Sequence, residues 1–328
     1  MSSFLFAVNA VAPIILLVTL GYCLKRIGMM KPDFAKAANK LVFRVFLPAT
    51  LFLNVYKISD FGAVDLSYII YALAVIFILF LIALPVAVLT TKAYDRRGPL
   101  MQVTFRSNYA LVGLPLAQSL FGEAGILYAS LLSAAAIPMF NILAVISLSL
   151  FRQDEKKPSV KTILLGIVKN PLILSIGAGL VTLLIRSLFV KTGITFRLTD
   201  IYPVYRVLEY LSNLATPLAL LALGAQFEFS AVKELRREII AGALMRNILA
   251  PILGIGCAFL FFRNQFSGAH FATFVALFAT PVAVSSLPMA QEMGSDAELA
   301  GQYVVWTTLI SALTIFFASM LLKSAGVF

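Results

Sequence analysis

Long apolar runs separated by short polar breaks set the first expectation. The stretch "IIYALAVIFILFLIALPVAVL", Ile69 to Leu89, shows no alternation of apolar and polar positions. It therefore reads as a membrane-spanning helix and not as a barrel strand. Ten such segments predict ten spans, over 5–24, 34–56, 67–91, 99–121, 124–151, 162–189, 203–226, 236–262, 270–292 and 297–322. Each has the roughly 20 residues that cross a hydrocarbon core. The one clear hydrophilic break, "RQDEKKPSVK" over 152–161, divides the chain near its middle. The amino-terminal "MSSFLFAVNA" has no positive leader region and reads as entry to the first span.

Composition agrees. The 328 residues are 61% hydrophobic and 12% charged, and the mean hydropathy is +0.96. Soluble chains lie nearer about 45–50% apolar and about 25% charged. The net charge of +11 would suggest nucleic acid in a soluble protein, but here the basic residues cluster between apolar runs. The positive-inside rule accounts for them, and no nucleic-acid partner is expected. Fifteen Lys and Arg follow spans one, three, five and seven, Lys25, Arg96, Lys156 and Arg237 among them; seven lie on the opposite side. The richer side is expected to be cytoplasmic, which puts both termini outside the plasma membrane.

Short words recur in matching order. "GLPLAQSLFGEA" (113–124) is echoed by "SLPMAQEMGSDA" (286–297), with Pro115 and Pro288 offset by 173 (288 − 115) and Glu123 and Asp296 by the same interval. "APIILLVTLG" (12–21) resembles "NPLILSIGAG" (170–179), and "FLPATLFL" (46–53) resembles "ATPLALLA" (215–222). These pairs align spans 1–5 on 6–10. An odd number of spans per half makes the repeat inverted, with 1–151 as the first five-helix unit, 152–161 as a cytoplasmic linker and 162–328 as the second. Prolines with Gly or Ser inside spans four and nine predict broken helices in corresponding positions, the mark of a midplane binding site in transporters. Half-helix N-termini there suit an anionic group. Span four is expected to unwind near Pro115; in span nine Pro281 and Pro288 leave two break points open.

Candidate side chains follow from this placement. Asn108 offers a donor and an acceptor beside the break. Arg106 either faces a cavity, where it forks a carboxylate, or snorkels to the interface. Arg246 has the same ambiguity, with a lean to structure. Ser285 and Ser286 either line the second break or bond back to their own helix. Gln118 and Gln291 form a symmetric polar pair after the prolines, and Gly113 precedes Pro115. Asn141 and Asn213 read as interhelical glue. No carboxylate sits at the centre of a span, so no acidic proton relay is evident, and the coupling ion, H+ or Na+, stays open.

The words "NKLVFRVFLPATLF" (39–52), "SNYALVGLPLAQSLFG" (107–122), "KNPLI" (169–173) and "LATPLALLALGA" (214–225) resemble the auxin efflux carrier family, the bacterial permeases related to plant PIN transporters. The likeness covers essentially the whole chain. It implies an all-α fold of ten helices in two inverted five-helix repeats, with helices four and nine broken and crossing beside the substrate. It implies a dimerising scaffold of spans one, two, six and seven, and a mobile, elevator-type transport domain made of the other six. Carried onto this chain, it puts Asn108 beside the substrate and Pro115, Pro281 and Val282 near the crossover. The long cytosolic loop of the plant members is missing, which favours a small metabolic carboxylate over auxin. No cofactor or metal is expected.

The leading expectation is a secondary carrier of small mono- or dicarboxylates, without enzymatic activity. A channel or facilitator is the alternative within transport, and a membrane receptor is the alternative of another class. The single histidine, His270, rules out HExxH zinc chemistry, and no Walker A word occurs.

Overall fold

The computed structural model describes residues 3–57, 66–151 and 165–328. The predicted linker over 152–161 lies outside the described residues. The described chain is all-helical. Its helices are α1 (Ser3–Arg26), α2 (Pro32–Leu41), α3 (Leu47–Tyr56), α4 (Leu66–Thr90), α5 (Tyr94–Phe105), α6 (Leu114–Leu150), α7 (Pro171–Lys191), α8 (Tyr202–Gln226), α9 (Ala231–Leu244), α10 (Cys257–Phe262), α11 (Gly268–Phe278), α12 (Ser286–Glu292) and α13 (Ala297–Ser324). Five-residue π-helical turns join α2 to α3 (Val42–Phe46) and lead into α6 (Tyr109–Gly113). Two more, Met245–Leu249 and Ile252–Gly256, fill the way from α9 to α10.

Among the described residues, seven helical segments are long and apolar enough to cross a membrane. They are Pro32–Tyr56, Leu66–Thr90, Tyr109–Leu150, Pro171–Val190, Tyr202–Gln226, Ala231–Phe262 and Ala297–Ser324. Their outer faces stay apolar, as at Leu81 and Leu84 on α4, Leu184 and Leu188 on α7 and Leu313 and Phe317 on α13. An apolar exterior of this extent suits lipid and not water. The molecule is a polytopic helical membrane protein.

Local chemistry sets the helix ends. Asn170 caps α7 by accepting from the Leu172 N–H at 2.9 Å, and Asp296 caps α13 through the Leu299 N–H at 2.8 Å. Gly122 breaks α6 with φ of 57° and ψ of −142°, a backbone conformation that favours glycine. The segment over 109–120 and the long helix that follows are thus separate elements. Where α1 meets α8 the two backbones touch: a Cβ on Gly21 would overlap the Leu221 carbonyl, and one on Gly224 the Val18 carbonyl.

Candidate functional site

Two interruptions meet inside the bundle. α5 ends at Phe105, and Arg106 (φ −86°, ψ 117°) and Asn108 (φ −80°, ψ 51°) leave the helix before the turn at Tyr109 begins. α11 ends at Phe278, and helix resumes only at Ser286. In the second interruption the cause is local. Pro281 has no N–H to continue a helix, and it pushes Thr280 out of the helical region. In the first the cause is tertiary. Ser107 and Val282 form an antiparallel bridge, the Asn108 N–H donates to the Pro281 carbonyl at 2.8 Å, and the Ser107 and Thr280 hydroxyls share a hydrogen bond at 2.7 Å. The Val282 N–H donates to Thr307 Oγ1 of α13 at 3.2 Å.

The expected break in span four needs correction, and in span nine the structure selects one of the two open positions. Span four opens at Arg106–Asn108 and not at Pro115, which sits in the first turn of α6 where a missing N–H costs nothing. In span nine the break lies around Pro281; Pro288 is buried within α12.

Broken helices leave terminal carbonyls without partners, and in a membrane interior these must be satisfied from within the protein. Arg246 does this. It is 0% exposed; Nε donates to the Thr280 carbonyl at 2.8 Å, and Nη2 to Leu277 at 2.8 Å and Phe278 at 3.2 Å. Nη1 reaches the Phe105 carbonyl at 3.5 Å. One guanidinium thus holds the ends of both interrupted helices.

Arg106 is placed differently. It is 3% exposed, so the snorkelling alternative is overturned. Nη2 donates to Asn141 Oδ1 at 2.9 Å and to Ser285 Oγ at 2.7 Å, and Nη1 lies 2.6 Å from the Met289 sulfur. Its partners are all neutral; among the described residues no carboxylate pairs with it. Asn141 is therefore more than packing glue, because it orients this guanidinium. Ser285 does not bond back to its own helix. Close by, Asn108 Nδ2 and Ser286 Oγ are buried with no hydrogen-bond partner among the described residues, as are both amide atoms of Gln102, one turn before Arg106.

Of the other expected residues, Gly113 closes the turn against α11, where a Cβ would lie 2.7 Å from the Ala276 carbonyl. Pro115 and Gln118 are exposed and not part of the crossing. Gln291 faces α2 instead: it accepts from Asn39 Nδ2 at 2.9 Å and donates to the Lys36 carbonyl at 3.2 Å. Beside it Arg44 pairs with Glu292 at 3.2 Å. Gln102, Ser107 and Thr280 were not singled out from sequence. The 173-residue offset could have found the last two, since it carries Ser107 onto Thr280. Asp296 pairs with Arg96, which also binds Glu234 and Glu238.

A cavity of about 230 Å³ with a mixed lining approaches α12 from the ends of α1 and α8, between Lys25, Phe227, Glu228, Leu287, Glu298 and Gln302. A larger apolar one, about 660 Å³, lies away from the crossing between Pro251 and Phe317.

Helices interrupted against one another, with polar groups enclosed where they meet, define a protein that moves solutes across membranes. Residues 6–319 match the family described as "Membrane transport protein", and the chain belongs to that family, the auxin efflux carrier family of membrane transporters. It is 23% identical to an uncharacterized transporter of Methanothermobacter thermautotrophicus, over 95% of this chain and 97% of that one. A second uncharacterized transporter, from Methanocaldococcus jannaschii, is 24% identical over 94% and 96% of the two chains. A protein of Rhizobium meliloti named "Putative malonate transporter" is 24% identical over 96% of each.

Proposed function

We propose that the protein is a secondary carrier of small carboxylates, which bind where the two interrupted helices cross and are exposed to each side of the membrane in turn. The observation that carries this reading is Arg106, an enclosed guanidinium whose partners among the described residues are all neutral. A buried charge left without a counter-charge is costly, by several kcal/mol. An anionic substrate supplies that charge, and a carboxylate matches the guanidinium fork. Asn108 Nδ2 and Ser286 Oγ add hydrogen-bonding capacity that no other described residue uses. The name of the Rhizobium relative fits a carboxylate substrate.

The proposed architecture is ten crossings in two inverted repeats. α1 and the two interrupted segments complete the count beyond the seven long apolar helices, and Gly122 separates the fourth crossing from the fifth. Two features support the repeat. The hydroxyls that meet at the crossing are 173 residues apart, the offset of the Leu-Pro-x-Ala-Gln words. Gly21 and Gly179, which correspond in the aligned words, make exchanged contacts: Gly21 against Leu221 of α8, and Gly179 against Val55 of α3. In this reading α1, α2–α3, α7 and α8 form the scaffold, through which two copies pair, and the remaining helices carry the site.

Binding to the purified protein in lipid nanodiscs tests the proposal, with malonate, succinate, acetate and propionate as probes. At least one carboxylate should raise the unfolding temperature, because specific binding stabilises the folded state. Asn108→Ala should weaken it by about tenfold to a hundredfold, the effect of losing a partner to a buried polar group. Arg106→Gln should abolish it. Equal binding by parent and both variants would put the site elsewhere.

A further inference from the structure

We infer that Gln102 is a second recognition residue, reading an uncharged carboxyl at the far end of the anion that Arg106 holds, so that the substrate is a short dicarboxylic acid taken in its half-ionised form. The inference rests on the reading of the crossing as a carboxylate site.

Gln102 is 0% exposed, and among the described residues neither its Nε2 nor its Oε1 has a hydrogen-bond partner. A buried amide with both ends unmatched is rare and costly. It lies on the face of α5 that carries Arg106: the Arg106 N–H donates to the Gln102 carbonyl at 2.9 Å, one helical turn away. Positions so related stand about 5–6 Å apart at Cβ. The same face packs on α6 at both ends, Gly98 against Ser147 and Leu148, Arg106 against Asn141. Gln102 sits between these contacts, in the seam that leads to the guanidinium.

The chemistry of the two groups differs in a way that selects a ligand. A guanidinium donates only and takes a carboxylate. A primary amide offers one donor and one acceptor side by side. Its full complement is a group that accepts and donates in the same plane, and a protonated carboxyl does this where a carboxylate cannot. A molecule bearing a carboxylate at one end and a carboxylic acid at the other satisfies both. Its proton crosses the membrane on the substrate, so no side chain at the crossing has to titrate. That fits a site whose nearest ionised groups are the arginines Arg106 and Arg246. The carboxylates facing α5, Glu234, Glu238 and Asp296, gather around Arg96 at its first turn. Tyr303 of α13 donates to the Glu238 carbonyl there.

The sign follows. The ligand needs its one remaining proton, so affinity is present while the half-ionised form prevails and lost as pH rises through the ligand's second ionisation, between about pH 5 and about pH 8. The test uses the full chain in nanodiscs, the probes malonate and succinate, and their monoamides malonamate and succinamate. The monoamides mimic the half-ionised acid at every pH and report any titration of the protein itself. Dicarboxylates should weaken at least about tenfold over this range, and monoamides should not. Gln102→Leu should weaken both classes by about tenfold to a hundredfold without weakening propionate, which has no second carboxyl for the amide to read. Its ligand-free unfolding temperature should be no lower than the parent's, since an unmatched amide has been replaced by an apolar side chain of similar size. If Gln102→Leu binds dicarboxylates like the parent, the amide holds only buried water; that result overturns the inference and leaves the Arg106 site standing. Tighter dicarboxylate binding at about pH 8 than at about pH 5 also overturns it. Failure of every carboxylate and monoamide to bind overturns both readings.

Discussion

Arg246 and Arg106 are two arginines of one interior with opposite duties. Arg246 directs its donors at four main-chain carbonyls, so its removal strands acceptors that no water can reach. Each stranded group costs about 1–3 kcal/mol. Arg246→Met should therefore lower the thermal unfolding midpoint sharply, and Arg246→Lys should recover part of the loss because one ammonium reaches fewer of the carbonyls. An unchanged midpoint in Arg246→Met would refute the capping role. Arg106 should behave inversely, with small effects on stability and large effects on ligand. The sequence made both arginines visible, since charge within an apolar run is conspicuous. It could not assign their duties, because the deciding partners are distant: Asn141 and Ser285 lie 35 and 179 residues from Arg106. Gln118 and Gln291 looked equivalent by spacing, yet Gln118 is exposed while Gln291 hydrogen-bonds α2. Gln102 drew no notice, because a single glutamine near a helix end is unremarkable until burial strips it of partners.

Among the elements, interruptions were legible where proline causes them. Pro281 lacks an N–H, and the helix stops there. The interruption at Arg106–Asn108 has no proline, and it exists because the opposite segment offers a bridge; Pro115 drew the expectation seven residues too far along. The contacts of α12 with α2 and with the turn that follows it were not legible either, being side-chain bonds across 252 and 248 residues. They tie the end of α12, the element that presents Ser285 and Ser286, to the first half of the chain. If the crossing shifts during transport, these bonds must open. Cysteines replacing Asn39 and Gln291, with Cys23 and Cys257 removed, should cross-link on oxidation and stop uptake of any substrate the parent carries, and reductant should restore it. Full uptake with the cross-link formed would show that α2 and α12 stay together throughout.

At the scale of the whole molecule, hydropathy was enough to show a polytopic helical protein, because lipid demands long uninterrupted apolar surface and closed backbone bonding. Orientation rests on the Lys and Arg asymmetry alone. A single cysteine at Lys323 in a cysteine-free background should react with an impermeant reagent applied to intact cells, and one at Lys156 should not; the reverse pattern would invert the topology. Pairing of two copies rests on the family resemblance, and a monomeric mass in nanodiscs would refute it. Within one copy, the contact of α1 with α8 bears on what can move. At Gly21 and Gly224 no side chain lies between the two backbones. Side chains can re-sort their rotamers as surfaces slide, whereas main chain in direct contact has no such compliance. At those two points the seam has no deformable layer to absorb shear. In the proposed transport cycle, relative motion is left to the boundaries held by exchangeable side-chain bonds, with α1 and α8 as the frame.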